Sequence, residues 1–480
     1  MPAGEPRLWH VSRLLWPMGF ALCTMASPAG AGGEESLDGS TLSLFWVLPF
    51  VGILLSIAIM PLAAPSFWHL RYGSVAAFWG LALLIPLAIK YGPQLTLHVL
   101  LHTALHEYIP FIVLIVALFT VAGGIQIRGN LHGSPATNTA LLAIGTSLAS
   151  LVGTTGASMV LIRPVLRAND DRVHNAHVVV FFIFLVSNIG GALTPLGDPP
   201  LFLGFLKGVD FFWPLIFLWQ PTLLVSAILL ALFYALDSYL YAREGHLPRD
   251  PTPDRALGID GKLNFALLAL LVGVVLMSGL LPSFGKFHIS TVEMELKSIL
   301  RDFALIAIAL LSLKLTPLSI RAANKFSWAP AREVTKLFAG IFVTIIPVIA
   351  ILRAGPSGAM AGVHELVTGP GGTPDNAMYF WLTGVLSSFL DNAPTYLVFF
   401  NAAGGDAKQL MLPLATTLMA ISAGAVYMGA NTYIGNAPNF MVKSIAEENG
   451  IKMPSFFGYM LWSGCFLVPC FLLVHWLFFR

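Results

Sequence analysis

Charge is what this 480-residue chain lacks most. Asp, Glu, Lys and Arg make up 10% of it, against about 25% in a soluble globular protein. With 56% hydrophobic residues and a mean hydropathy of +0.79, a chain this long cannot cover itself in polar surface, so it must sit in lipid. A net charge of +2 offers no basic surface for nucleic acid. Cysteine is scarce as well. Cys23, Cys465 and Cys470 are too few and too badly spaced for a disulfide framework or a thiolate metal site. No low-complexity tract and no stretch of soluble-domain composition interrupts the sequence.

What is present is a series of apolar stretches, from 43–64 to 455–478, many near the ~20 residues that cross a bilayer. Several are too short to span alone, and these lie beside polar, Gly- and Pro-rich breaks. Two of the breaks are versions of each other. Residues 193–203 read LTPLGDPPLFL and residues 431–441 read NTYIGNAPNFM. At the same offset of 238, Thr194 matches Thr432, Gly197 matches Gly435, Asp198 matches Asn436 and Pro200 matches Pro438. A second pair shares the offset: SLASLVGTTGASMVLI (147–162) resembles the neighbourhood of TGVLSSFLDNAPTYLV (383–398), with Ser150 over Ser388. Two polar breaks per half, inside oily sequence, are the signature of a two-repeat secondary transporter with discontinuous helices.

The fold expected is therefore an all-α polytopic membrane protein. It has two inverted-topology repeats, each with a re-entrant hairpin and a discontinuous helix, and about 10–12 transmembrane spans. The hairpins should lie near 139–163 and 378–402. Residues 1–33 place Arg7 and Arg13 before a short apolar run and small residues, the pattern of a secretory signal peptide or short N-terminal anchor. The first repeat is expected over 43–240 and the second over 263–480, joined by a polar linker, 241–262. The stretch 314–336 carries Lys314, Arg321, Lys325, Arg332 and Lys336 against Glu333, which reads as cytoplasmic. The arginines of loop 163–177 give a weaker sign of the same kind.

The breaks can carry chemistry because irregular backbone survives in a membrane only against protein or a wet cavity. Pro199 and Pro200 lack an N–H, so the carbonyls of Pro195 and Leu196 lose their helical donors, and Pro394 and Pro438 do the same to Leu390 and Ile434. Freed carbonyls suit a hard cation, and the half-helix N-termini beside them suit an anion. Side-chain oxygens cluster in the same places: Thr154, Thr155 and Ser158 on the first hairpin, and Ser187, Asn188 and Thr194 around the first broken helix. The second half offers Asn392, Thr395, Asn431, Thr432, Asn436 and Asn439. Hydroxyls and amides also serve as interhelical glue, the plainer reading of any one of them.

Three acids stand in apolar surroundings: Glu107, Asp198 and Asp391. An intramembrane carboxylate is a functional candidate by default. Asp198 and Asp391 sit one in each half, and a site that holds either H⁺ or Na⁺, but not both well, is the simplest basis of exchange. They are the expected Na⁺ ligands. His98, His102 and His106 recur every four residues along one helix face. With Glu107, His106 forms a candidate proton pathway. Pro110 breaks the HExxH pattern of a metalloprotease. Arg163 and Arg353 lie outside the breaks and read as interfacial, and Lys207 and Asp210 as a pair at the mouth of the first broken helix.

The passages SNIGGALTPLGDPPLFLGF (187–205), GTTGASMVLIRP (153–164), SSFLDNAPTYLVFF (387–400) and GANTYIGNAPNFM (429–441) resemble the ion-transporter superfamily. Within it they are most similar to the D-type bacterial sodium/proton antiporters and to the citrate-transport relatives beside them. The resemblance runs from about residue 43 to the end of the chain. It implies an ion site between hairpins and broken helices, with acidic ligands at Asp198 and Asp391, a bacterial inner-membrane location and a homodimer. The dicarboxylate carriers of the superfamily have a Ser-Asn-Thr signature at the hairpin tips, where this chain has Gly153-Thr154-Thr155 and Asp391-Asn392-Ala393. The departure favours simple cation exchange, so the leading expectation is a secondary transporter exchanging Na⁺ or Li⁺ for H⁺ by alternating access. The alternative is a cation-coupled citrate, organic-anion or arsenite-type transporter. No enzyme activity and no cofactor is expected, and the partners are the bilayer and small ions.

Overall fold

The computed structural model describes residues 37–129, 131–244, 256–369 and 371–480. The expected N-terminal leader, 1–33, and the middle of the linker lie outside the described residues. Eight helices among the described residues are long and apolar enough to cross a membrane, and the bent pair Ala329–Thr344 and Ile346–Arg353 makes a ninth. Among the described residues the expected 10–12 spans are matched in part, and several further apolar stretches fold as two short helices around a break. Strands, among the described residues, are confined to two short antiparallel ribbons, Gln126–Arg128 with Gly258–Asp260 and Lys286–Ile289 with Val292–Glu295. The chain is thus a helical, multi-pass membrane protein.

Burial separates the helices into two kinds. In Ala176–Leu185 every residue from His177 to Leu185 is buried, and in Ala415–Met428 every residue from Thr417 onward. Helices apolar on all sides belong in the centre of such a fold. Around them, Pro65–Tyr91, Trp213–Glu244 and Phe456–Phe478 turn Leu70, Ile89, Ile216 and Leu461 outward, where acyl chains are the only compatible solvent.

Both expected hairpins are present. In the first, Pro135–Val152 and Thr154–Ala168 are joined by Gly153 alone, at φ 80, a left-handed angle that glycine adopts without penalty. In the second, Leu390 and Asp391 join Asn376–Phe389 to Asn392–Ala402. Both broken helices are present as well. Ala176–Leu185 gives way to a 3₁₀ turn, Ile189–Leu193, then to extended chain, and restarts as Pro199–Leu206. Ala415–Met428 passes through Gly429–Asn431 and restarts as Ala437–Glu448.

Three hydrogen bonds at hairpin and break recur in the two halves at the same offset. Ser150 Oγ donates to the carbonyl of Gly190 and Ser388 Oγ to that of Met428, again 238 residues on. Thr194 Oγ1 donates to the Ser150 carbonyl, and Thr432 Oγ1 to the Ser388 carbonyl. Leu196 N then donates to Thr194 Oγ1 and Ile434 N to Thr432 Oγ1, each at 3.2 Å. Asp198 and Asn436 share extended angles, φ −143, ψ 144 and φ −153, ψ 140. The scaffold echoes the pattern: a π-helical turn at Ala104–Tyr108 precedes Pro110, and the 41° bend at Ile345 precedes Pro347.

Candidate functional site

Four helices begin at one place. The residues that precede them are Gly153, Asp198, Asp391 and Asn436, the N-caps of Thr154–Ala168, Pro199–Leu206, Asn392–Ala402 and Ala437–Glu448. All four line a single cavity of about 60 Å³, walled on its other side by Phe111, Leu114 and Phe338. Each N-terminus carries roughly half a positive charge. Four together offset about two negative charges, which is how two carboxylates are held here with no lysine or arginine in any break.

Asp198 is the centre of the polar network. Thr154 Oγ1 and Asn436 Nδ2 donate to its Oδ1 at 2.9 and 3.1 Å, and Asn392 Nδ2 donates to its Oδ2 at 2.5 Å. Both hairpins and both broken helices therefore meet on one buried carboxylate. Asp391 faces the same cavity, and its Oδ1 accepts from its own helix at Ala393 N. Behind Asp198 the network continues. Asn436 Nδ2 also reaches Asn188 Oδ1 at 3.2 Å, and Asn188 donates to Asn439 Oδ1 at 2.7 Å. Asn439 in turn ties down the carbonyls of Gly429 and Thr432. Close backbone packing locks the breaks: a Cβ on Gly197 would lie 2.1 Å from the Gly191 carbonyl oxygen, and one on Gly435 2.6 Å from that of Gly429.

The sequence-predicted residues divide into three groups. Asp198, Asp391, Thr154, Thr155 and Asn436 line the cavity, with Asn392 bonded to Asp198. Ser158 and Ser187 bond each other at 2.8 Å, one layer behind, with Asn188 beside them. Thr194, Thr395 and Thr432 spend their hydroxyls on backbone carbonyls, and Asn431 donates to Ser388 Oγ, so these four hold the breaks in shape. The polar atoms available to a cation are few: Asn392 Oδ1 is buried and has no partner, as is Asn431 Oδ1. Among the described residues no three His, Cys, Asp or Glu side chains come together as a group that could hold a metal ion.

His106 and Glu107 do not line the cavity. Glu107 forms an ion pair with Lys207, which caps the end of Pro199–Leu206. The expected Lys207–Asp210 pair is therefore corrected; Asp210 accepts instead from Phe212 N. Lys207 turns toward Glu107 because that carboxylate, being buried, needs a counter-charge more than the loop does. Both ring nitrogens of His106 are buried without a partner, and the ring lies 4.5 Å from that of His102. Arg353 bonds Asn401 Oδ1.

Sequence reasoning also missed a buried acid. Asp237, 0% exposed, accepts from Arg172, His177 and Asn138, while Arg172 also pairs with Glu244. The signal was a lone Asp in the apolar run of Trp213–Glu244, opposite an arginine in loop 163–177. Asp302, bonded to Arg301, is a further one.

A helical multi-pass protein built around paired breaks, with two carboxylates facing a largely apolar cavity, has the make-up of a membrane transporter. A family model described as "Putative citrate transport" matches residues 39–479. The chain belongs to that family of membrane transporters. No curated protein matches it.

Proposed function

We propose that the chain is a cation-coupled secondary transporter for citrate or a related organic anion, working by alternating access. The observation that carries this reading is the shared cavity at four helix N-termini, two of them with a carboxylate at the N-cap position, in a member of a citrate-transport family. With both carboxylates ionised, the site is close to electrically balanced and has little pull on a polyanion. A Na⁺ or H⁺ at Asp198 and Asp391 tips the balance. One added charge at about 4 Å is worth ~4 kcal/mol at an effective dielectric of 20, roughly a thousandfold in anion affinity. Cation first, anion second, is thus built into the electrostatics. Loading calls for Asn392 to rotate its amide, presenting Oδ1 to the cation in place of the Nδ2 that now donates to Asp198.

The two halves supply the moving parts. We take them as inverted repeats whose hairpins reach the site from opposite faces, so rocking of one pair against the scaffold opens the cavity to one side at a time. His106 and Glu107, beside the end of Pro199–Leu206, are placed in this reading to pass protons toward the moving helix.

One observation favours the simpler Na⁺(Li⁺)/H⁺ exchange. A cavity of about 60 Å³ suits ions and waters rather than a tricarboxylate, so carriage of citrate requires an opened state. Radiolabelled citrate uptake in proteoliposomes, under an imposed Na⁺ or pH gradient, separates the two. The proposal expects cation-dependent uptake; Na⁺-driven proton flux with no citrate uptake would replace it with exchange.

A further inference from the structure

A second cavity, of about 1080 Å³, opens at the other end of the helix Thr154–Ala168 from the transport site. It gathers basic residues from three separate segments: Arg163 and Arg167 from that helix, Lys325 from the loop before Ala329–Thr344, and Lys452 from the loop after Ala437–Glu448. Arg172 also lines it but is neutralised by Asp237 and Glu244. Of the acids, Asp170 lines the cavity and Glu448 is close enough to act on Arg163. Four cations thus face two acids. Arg163 Nη1 is buried and has no hydrogen-bond partner. Arg167 Nη2 is committed to the carbonyl of Ile127.

The remaining wall is apolar, from Leu236 and Leu240 of the outer helix Trp213–Glu244 and Trp462 of Phe456–Phe478. Basic groups above and outer-helix hydrocarbon below is the chemistry of the membrane interface. The concentration of Lys and Arg marks the cytoplasmic face. We propose that this cavity binds the phosphate of an anionic phospholipid headgroup, with Arg163 and Lys452 on the phosphate and the acyl chains along Leu236, Leu240 and Trp462. A soluble carboxylate or phosphate would gain nothing from that apolar wall, which is why the lipid is favoured over a free anion.

The test is native mass spectrometry of the detergent-purified full chain, titrated with phosphatidylglycerol, phosphatidylcholine or glycerol 3-phosphate, with thermal unfolding of the same samples. Phosphatidylglycerol should be retained and should raise the unfolding temperature, with phosphatidylcholine well behind. In the double variant Arg163→Gln, Lys452→Gln its affinity should fall by about thirtyfold, at about a tenfold or less per charge removed. Each single variant, assayed alongside, gives an intermediate loss if the double variant folds poorly. Equal retention of the two lipids, or unchanged retention by all variants, would overturn the proposal. So would protection by glycerol 3-phosphate equal to that by the lipid. The lipid readouts do not depend on what the transport site carries.

Discussion

Asn436 donates to Asp198 Oδ1 at 3.1 Å, so the residues that occupy the same position in the two halves, 238 positions apart, touch each other at the centre of the protein. One half has kept the acid and the other an amide of the same shape. Asp198→Asn should leave folding intact, because its amide Oδ1 can accept from Thr154 and Asn436 while its Nδ2 donates to Asn392 once that amide rotates to present Oδ1. It removes the charge, and transport should fall about a hundredfold, the scale of losing a charge-assisted interaction of ~2.7 kcal/mol. Initial rates in proteoliposomes at matched protein content check this. Asn436→Asp is the sharper variant. Two carboxylates at that distance cannot both carry charge, so transport should persist only in acidic medium and be lost in alkaline medium.

Asp391 shares the cavity but takes no bond from the opposite half. Asp391→Asn should therefore spare the Asp198 network and weaken cation dependence. The expected outcome is uptake whose half-saturating Na⁺ or H⁺ concentration rises about tenfold or more, a loss of ~1.4 kcal/mol or above. Varying one ion at fixed anion concentration measures it.

The Glu107–Lys207 pair joins the π-helical turn of the scaffold to the end of the broken helix that carries Asp198. Both side chains are largely buried, at 7% and 16% exposure. Removing one partner leaves the other unpaired, so Glu107→Ala or Lys207→Ala should each destabilise the protein by about 3 kcal/mol, and the double variant should recover part of that loss. Thermal unfolding of all four proteins in detergent forms the cycle. Additive losses would mean that the pair is not coupled.

Arg172, Asp237, His177 and Glu244 tie the loop after the first hairpin to the long outer helix. This network touches neither the transport cavity nor a break, so its role is to hold the fold. Asp237→Ala should cost about 1–3 kcal/mol by removing the buried acceptor shared by Arg172 Nη2, His177 and Asn138, with Arg172 still paired to Glu244, seen as lower expression and a lower unfolding temperature. Per folded molecule, transport should be unchanged.

How much of this was legible in the sequence follows from how each feature is written there. The breaks were readable because proline and glycine act on their own backbone: Gly153, Pro199, Pro394 and Pro438 mark the four restarts within a residue or two. The repeat was readable because the same local bonds need the same side chains, as Ser150/Ser388 and Thr194/Thr432 show. What local pattern does not record is partner choice. Lys207 lies three residues from Asp210 yet pairs with Glu107, 100 positions away. Asp237 finds Arg172 across 65 residues, and nothing in either neighbourhood names the other. The roles of Thr194, Thr395 and Thr432 were also hidden, because a hydroxyl facing a ligand and one facing its own backbone look alike in sequence. The preference for simple cation exchange rested on the hairpin-tip residues, the paired acids and the lack of Lys or Arg in the breaks, and the family match over nearly the whole chain shifts the weight to the organic-anion alternative.

The central claim is that a cation on the paired acids is what makes room, electrostatically, for an anion among four helix starts. Simultaneous recording of labelled citrate and of Na⁺ or H⁺ movement in one proteoliposome preparation tests it most directly, with wild type beside Asp198→Asn. Citrate and cation entering together at a fixed ratio in wild type, and neither entering in the variant, is the predicted result. Citrate entering at full rate with no cation present, or through the variant as through wild type, would contradict it.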